Sequence, residues 1–150
     1  MNGAVIAGAA AVAAVNALPL LLGSWRWYFA QPSGTFWWLL RAGQVAVAVF
    51  VLGVGVLAAA GRYSSEQLFY LYAMLPVVVA FIAEQYRVVA AQSILDQREL
   101  ESAAAVGELP ESDQRELVAA ILRREMGVMT LSALVVVFLA LRAASTAHGF

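Results

Sequence analysis

Four apolar stretches, Gly3 to Leu22, Phe36 to Ala60, Leu68 to Ala91 and Met126 to Ala144, fill more than half of this 150-residue chain. Nothing else in the sequence constrains the fold as tightly. A helix rising about 1.5 Å per residue needs roughly 20 mostly apolar residues to cross a hydrocarbon core about 30 Å thick, and the chain offers that length four times. The expectation is an all-α, polytopic membrane protein: four transmembrane helices in an antiparallel bundle, forming one domain over residues 1–150.

Composition agrees. Hydrophobic residues make up 63% of the chain, well above the roughly 45–50% usual in soluble proteins. Eight of the ten acids (Asp96, Glu99, Glu101, Glu108, Glu111, Asp113, Glu116 and Glu125) fall in the one long polar stretch, residues 92–125. No basic face is available to dock nucleic acid. The chain has no cysteine, and its single histidine is His148 in the C-terminal tail. Disulfides, thiolate chemistry, Cys-ligated centres and a bis-His haem inside the bundle are thereby excluded, and no cofactor or metal is expected. Met1 to Asn16 carries no Lys or Arg, so the first stretch is read as a permanent helix, not a cleaved signal.

All nine basic residues are arginine. Arg26, Arg41, Arg87, Arg98, Arg115, Arg123 and Arg124 lie toward the first and third connections, and only Arg62 and Arg142 lie toward the other side. The positive-inside rule then places both termini outside an inner (cytoplasmic) membrane, with the first loop and the long third connection in the cytoplasm. The aromatics fit interfaces at those depths: Trp25, Trp27, Tyr28, Phe29, Trp37 and Trp38 bracket the first loop, Tyr63, Phe69, Tyr70 and Tyr72 the second.

The polar stretch 92–125 has its own helical pattern. Leu95 and Leu100 on one arm, with Leu117, Val118, Ile121 and Leu122 on the other, make apolar stripes against polar backs. Gly107 is a stop signal and Pro110 suits a first helical position, with Glu111 and Asp113 in the first turn. Helices three and four are therefore expected to continue as a cytoplasmic helical hairpin.

Polar side chains within a span are costly and usually face the bundle interior. Asn16, Arg41, Gln44 and Glu84 stand at similar depth, all in the inner leaflet under this topology. Arg41 and Gln44 share one helix face, as do Glu84 and Arg87 three residues apart. These five residues form the candidate site. Three readings are open: separate snorkelling of Arg41 and Arg87 with Glu84 paired locally to Arg87, a buried interhelical network containing an Arg41–Glu84 ion pair, or a solute or proton pathway. Pro19 and Pro76 lie inside helical patterns and each remove one backbone hydrogen bond. Small residues recur every four positions (Gly3, Ala7, Ala11; Ala42, Ala46; Gly55, Ala59), which permits close helix approach.

No catalytic or phosphate-binding motif, selectivity filter or intramembrane-protease pair is present. The expected function is therefore non-enzymatic, a self-associating scaffold or an accessory subunit, with the lipid bilayer and itself or another membrane protein as partners. The alternative is an oligomeric small-ion or small-solute channel or transporter built on Arg41 and Glu84.

Overall fold

The computed structural model describes residues 2–97 and 103–150. Every regular element among them is a helix: α1 (Asn2–Tyr28), α2 (Gly34–Ala59), α3 (Gln67–Gln97), the short α4 (Ala103–Val106) and α5 (Glu111–Thr146). The four long helices, of 27, 26, 31 and 36 residues, are each long and apolar enough to cross a membrane. α1, α3 and α5 outrun the apolar stretches that announce them at both ends, whereas α2 begins two residues early and stops at Ala59, one short of Ala60. Hydropathy falls at the first polar side chains, but the backbone ladder continues until a residue leaves helical geometry.

That exit is visible at two ends. After α1 the chain reaches Ala30 at φ 54°, with Gln31 N–H donating to the Arg26 carbonyl (2.9 Å) and Ala30 N–H to that of Trp27 (3.2 Å). This is a Schellman motif with alanine in the left-handed position. After α2 the same two bonds form from Arg62 to Leu57 and from Gly61 to Ala58, and here the left-handed residue is Gly61. Between them Ser33 caps α2, its hydroxyl accepting from Phe36 N–H at 3.3 Å.

The core consists of three layers. One joins Val5 and Ala9 of α1, Val54 of α2, Phe69 and Ala73 of α3 and Ala143 of α5. The middle layer holds Val12, Ala13, Val47, Val136 and Ala140. The third holds Phe36, Leu40, Ala83, Met126 and Met129, with Leu22 and Trp37 against it. α5 is the central helix, packing along both α1 and α3, whereas α2 leans mainly on α1 and meets α3 sparsely. Half of the apolar stretch of α5 is buried, against 17% in α2.

Of the small residues at four-residue spacing, only Ala46 packs against the core, in its middle layer, and the closest approaches use other small residues. Gly23 of α1 lies against Thr130 and Phe36, and Gly43 of α2 against Asn16; a side chain at either would overlap these neighbours. Gly3 and Gly55, by contrast, have open space beside them, and Ala7, Ala11, Ala42 and Ala59 are exposed. Spacing shows that a smooth face exists, but only packing decides which way it turns. Pro19 and Pro76 sit buried within continuous helices.

In the polar stretch, Leu95 near the end of α3 and Leu117 early in α5 are buried, while Val118 is half exposed. Leu100 lies outside the described residues. Pro110 stands one position earlier than expected: it is the cap of α5, not its first helical residue, because its carbonyl already accepts from Asp113 and Gln114 (both 3.0 Å). Gln114 bonds back to the Leu109 and Gly107 carbonyls at 2.7 and 3.2 Å, closing the turn. At the opposite end of the molecule, Ser65 N–H donates to the His148 carbonyl (2.9 Å), Phe150 N–H to Asn2 (2.8 Å), and the Phe150 ring meets Phe69 edge-on.

Candidate functional site: a polar cluster on three helices

Arg41 and Gln44 lie one turn apart on α2, and Glu84 and Arg87 one turn apart on α3. Each pair therefore shares a face, and the two faces meet. Arg41 Nη1 donates to Gln44 Oε1 and to Glu84 Oε1, both at 2.6 Å. Gln44 Nε2 donates to the same Glu84 oxygen at 3.1 Å. The second oxygen, Oε2, faces Arg87 Nε at 3.2 Å. That N–H is buried and not aligned for a hydrogen bond, so the contact with Arg87 is ionic. One carboxylate thus serves two guanidinium groups and one carboxamide.

Trp37 completes the α2 side. The Arg87 guanidinium carbon is 5.4 Å from the centre of its ring, within range of a cation–π attraction. The Arg41 side chain is half exposed, while Glu84 and Arg87 are 25% and 30% exposed. The cluster therefore lies at the rim of the bundle, and its charges are partly screened by whatever surrounds that rim.

Asn16 is not part of this group. It is buried, and its Nδ2 donates to the Val12 carbonyl of its own helix (2.9 Å) and to the Gly43 carbonyl of α2 (3.3 Å). The reason is steric: the missing side chain at Gly43 lets the carboxamide reach the α2 backbone before it reaches any side chain. Asn16 fastens α1 to α2, and the charged cluster fastens α2 to α3.

The sequence reading omitted Glu125 from the site. It belongs to α5 and lies near enough to Arg87 and Glu84 for both charges to act on it. Position in the sequence conceals it, since Glu125 ends the acidic stretch 92–125 and counts there among its eight acids. A depth count finds it: it precedes the fourth apolar stretch by one residue, at the same end as Glu84 and Arg87. Glu125 thus brings a second carboxylate from α5 into the electrostatic reach of Arg87 and Glu84.

Thr130 is buried where α1 and α5 approach at Gly23, and its hydroxyl has no hydrogen-bond partner. Among the described residues, no group of three or more His, Cys, Asp or Glu is placed to hold a metal ion. The larger clefts are apolar: one of about 480 Å³ lies between α2 and α3 and is lined by Val51, Leu52, Gly55, Tyr70 and Met74 among others. Compared with protein families, with characterised proteins and with solved structures, the chain matches none.

Proposed function

We propose that the chain is a non-enzymatic, multi-pass protein of the cytoplasmic membrane that associates through α2, as a self-associating scaffold or as the accessory subunit of a larger membrane complex. The observation that carries this reading is the outer face of α2. Trp38, Ala42, Val45, Val49, Leu52, Val56 and Ala59 recur at alternating steps of four and three residues, and all are exposed. A seam of that period is what one helix presents to another in left-handed packing. Its Trp38–Val49 part has no partner helix among the described residues, and Leu52, Val56 and Ala59 border the open apolar cleft beside α3.

The polar cluster fits the same reading as an internal clamp. Its charges compensate one another, so it holds the otherwise sparsely packed α2 against α3, with Arg41 at the edge of the outward face, on the same line of the helix as Ala59. We further propose that the four helices form an antiparallel bundle. In support, residue numbers rise through the three core layers in α1 and α3 and fall in α2 and α5. The arginine distribution supports a cytoplasmic position for the α3–α5 hairpin and an outside position for both termini.

Oligomeric state in native-like lipid is the test. Native mass spectrometry of the full chain in lipid is expected to give a homo-oligomer or a fixed-ratio complex. Val45→Trp and Val49→Trp, which stay apolar but overfill the seam, should dissociate it. A monomer without partners, unaffected by either substitution, would overturn the proposal. A second reading, a small-ion or proton pathway through an oligomer, is favoured by the second carboxylate that α5 brings to Glu84. It requires flux into liposomes by the purified chain that Glu84→Gln abolishes.

A further inference from the structure

Arg26, Arg41, Arg87 and Arg123 lie at the Trp-rich end of the bundle. Arg41 and Arg87 are engaged by Glu84. Arg26 at the end of α1 and Arg123 on α5 are different: neither forms an ion pair with a carboxylate among the described residues. The two nonetheless line one small cavity, together with Trp27, Gln31 and Leu122, which has room for about one water-sized group. Arg26 Nη1 donates to Gln31 Oε1 at 2.8 Å. Its Nε is buried and has no hydrogen-bond partner.

A buried donor without an acceptor is rare in native structures, and a water or ion site beside it is one of its physical explanations. A guanidinium group without a carboxylate partner is well suited to hold a phosphate. The position of the cavity narrows the source of that phosphate. It opens at the level of Trp25, Trp27 and Tyr28, where amphipathic rings lie among lipid headgroups. Trp27 also sets the spacing of the two arginines, because its indole packs directly on Gly127 of α5. Two unmatched positive charges at one mouth favour a headgroup with net negative charge over one whose phosphate is balanced by its own cation.

We propose that the Arg26–Arg123 cleft binds the phosphate of an anionic phospholipid from the leaflet at this end of the bundle. One phosphate oxygen occupies the small cavity that the Arg26 side chain lines, and the others remain at its mouth beside Arg123. The inference is independent of the scaffold reading, needing only that the helices span a bilayer.

The test uses the full chain in mixed micelles containing equal parts of phosphatidylglycerol and phosphatidylcholine, with bound lipid read by native mass spectrometry. The wild type is expected to retain one phosphatidylglycerol in preference to phosphatidylcholine. Arg26→Gln and Arg123→Gln should each lower that preference about fivefold, Arg123→Lys should fall between, and Arg142→Gln at the far end of α5 should leave it unchanged. Equal retention of the two lipids by the wild type would overturn the proposal. An effect of Arg142→Gln as large as that of Arg123→Gln would overturn the location. Displacement of the lipid by millimolar inorganic phosphate would replace the lipid with a soluble anion as the ligand. Arg123 is exposed on a long helix, so its variants carry the test should Arg26→Gln fail to fold.

Discussion

Arg41 on α2 and Glu84 on α3 are joined by a 2.6 Å charged hydrogen bond across the most sparsely packed of the seams between successive long helices. A direct bond across a thin interface should be energetically visible, though only modestly, because the Arg41 side chain is half exposed. Glu84→Gln is expected to lower stability by roughly 1 to 2 kcal/mol. In a double-mutant cycle with Arg41→Gln, the coupling should be about 1 kcal/mol. Thermal unfolding in lipid or detergent measures both, and strictly additive losses would show that the pair does not hold the seam.

Asn16 and Gly43 should be coupled too, through steric contact and not through charge. A methyl group at position 43 would stand 2.9 Å from the Asn16 carboxamide carbon, so Gly43→Ala must push the carboxamide off the α2 backbone or part the helices. The expected cost is roughly 1 to 3 kcal/mol. Asn16→Ala removes the obstacle together with the hydrogen bond, so the double substitution should cost less than the sum of the two. A purely additive result would mean that the two residues are not in contact.

Alanine in the left-handed position after α1 leaves room for improvement. Ala30 sits at φ 54°, a conformation that costs an L-residue about 1 to 2 kcal/mol and glycine almost nothing. Ala30→Gly should therefore stabilise the chain by about 0.5 to 1 kcal/mol after allowance for the freer unfolded state. Ser33→Ala, three residues on, removes the cap of α2 and should cost about 1 kcal/mol. Opposite signs from two neighbouring substitutions are the signature to look for in melting curves.

Leu117 and Val118 are adjacent yet differ in burial, the first fully buried and the second half exposed. Leu117→Ala should cost about 2 to 4 kcal/mol and raise hydrogen exchange over the first turns of α5. Val118→Ala should change little, within about 0.5 kcal/mol. Equal tolerance at both sites would show that this arm does not pack as described.

The absence of cysteine makes topology straightforward to probe. A single reporter, Glu108→Cys, placed in the turn before α5 should react with a membrane-impermeant thiol reagent only after the cytoplasmic side is opened. Labelling of intact cells from outside would reverse the proposed orientation.

Much of this architecture is legible in the residues themselves. The four apolar stretches mark the helices because about 20 residues without charge have few other stable uses, and Gly107 and Pro110 mark the turn between α4 and α5. Helix ends were less legible. α1 runs six residues past Leu22 because Trp, Arg and Tyr are tolerated in a helix even where they end a hydropathy peak. The members of the polar cluster were visible as misfits within apolar runs, whereas Glu125 was hidden among other acids.

Depth along a helix can be counted from the sequence, since each residue advances a fixed 1.5 Å. On that basis the sequence alone determined that Asn16, Arg41, Gln44 and Glu84 stand at a common level. Direction around the helix axis relative to a neighbour cannot be counted, because it depends on how whole surfaces interlock. Tertiary structure therefore decided that Asn16 bonds to Gly43, that Glu84 serves both Arg41 and Arg87, and that the seam from Trp38 to Ala59 is left facing outward.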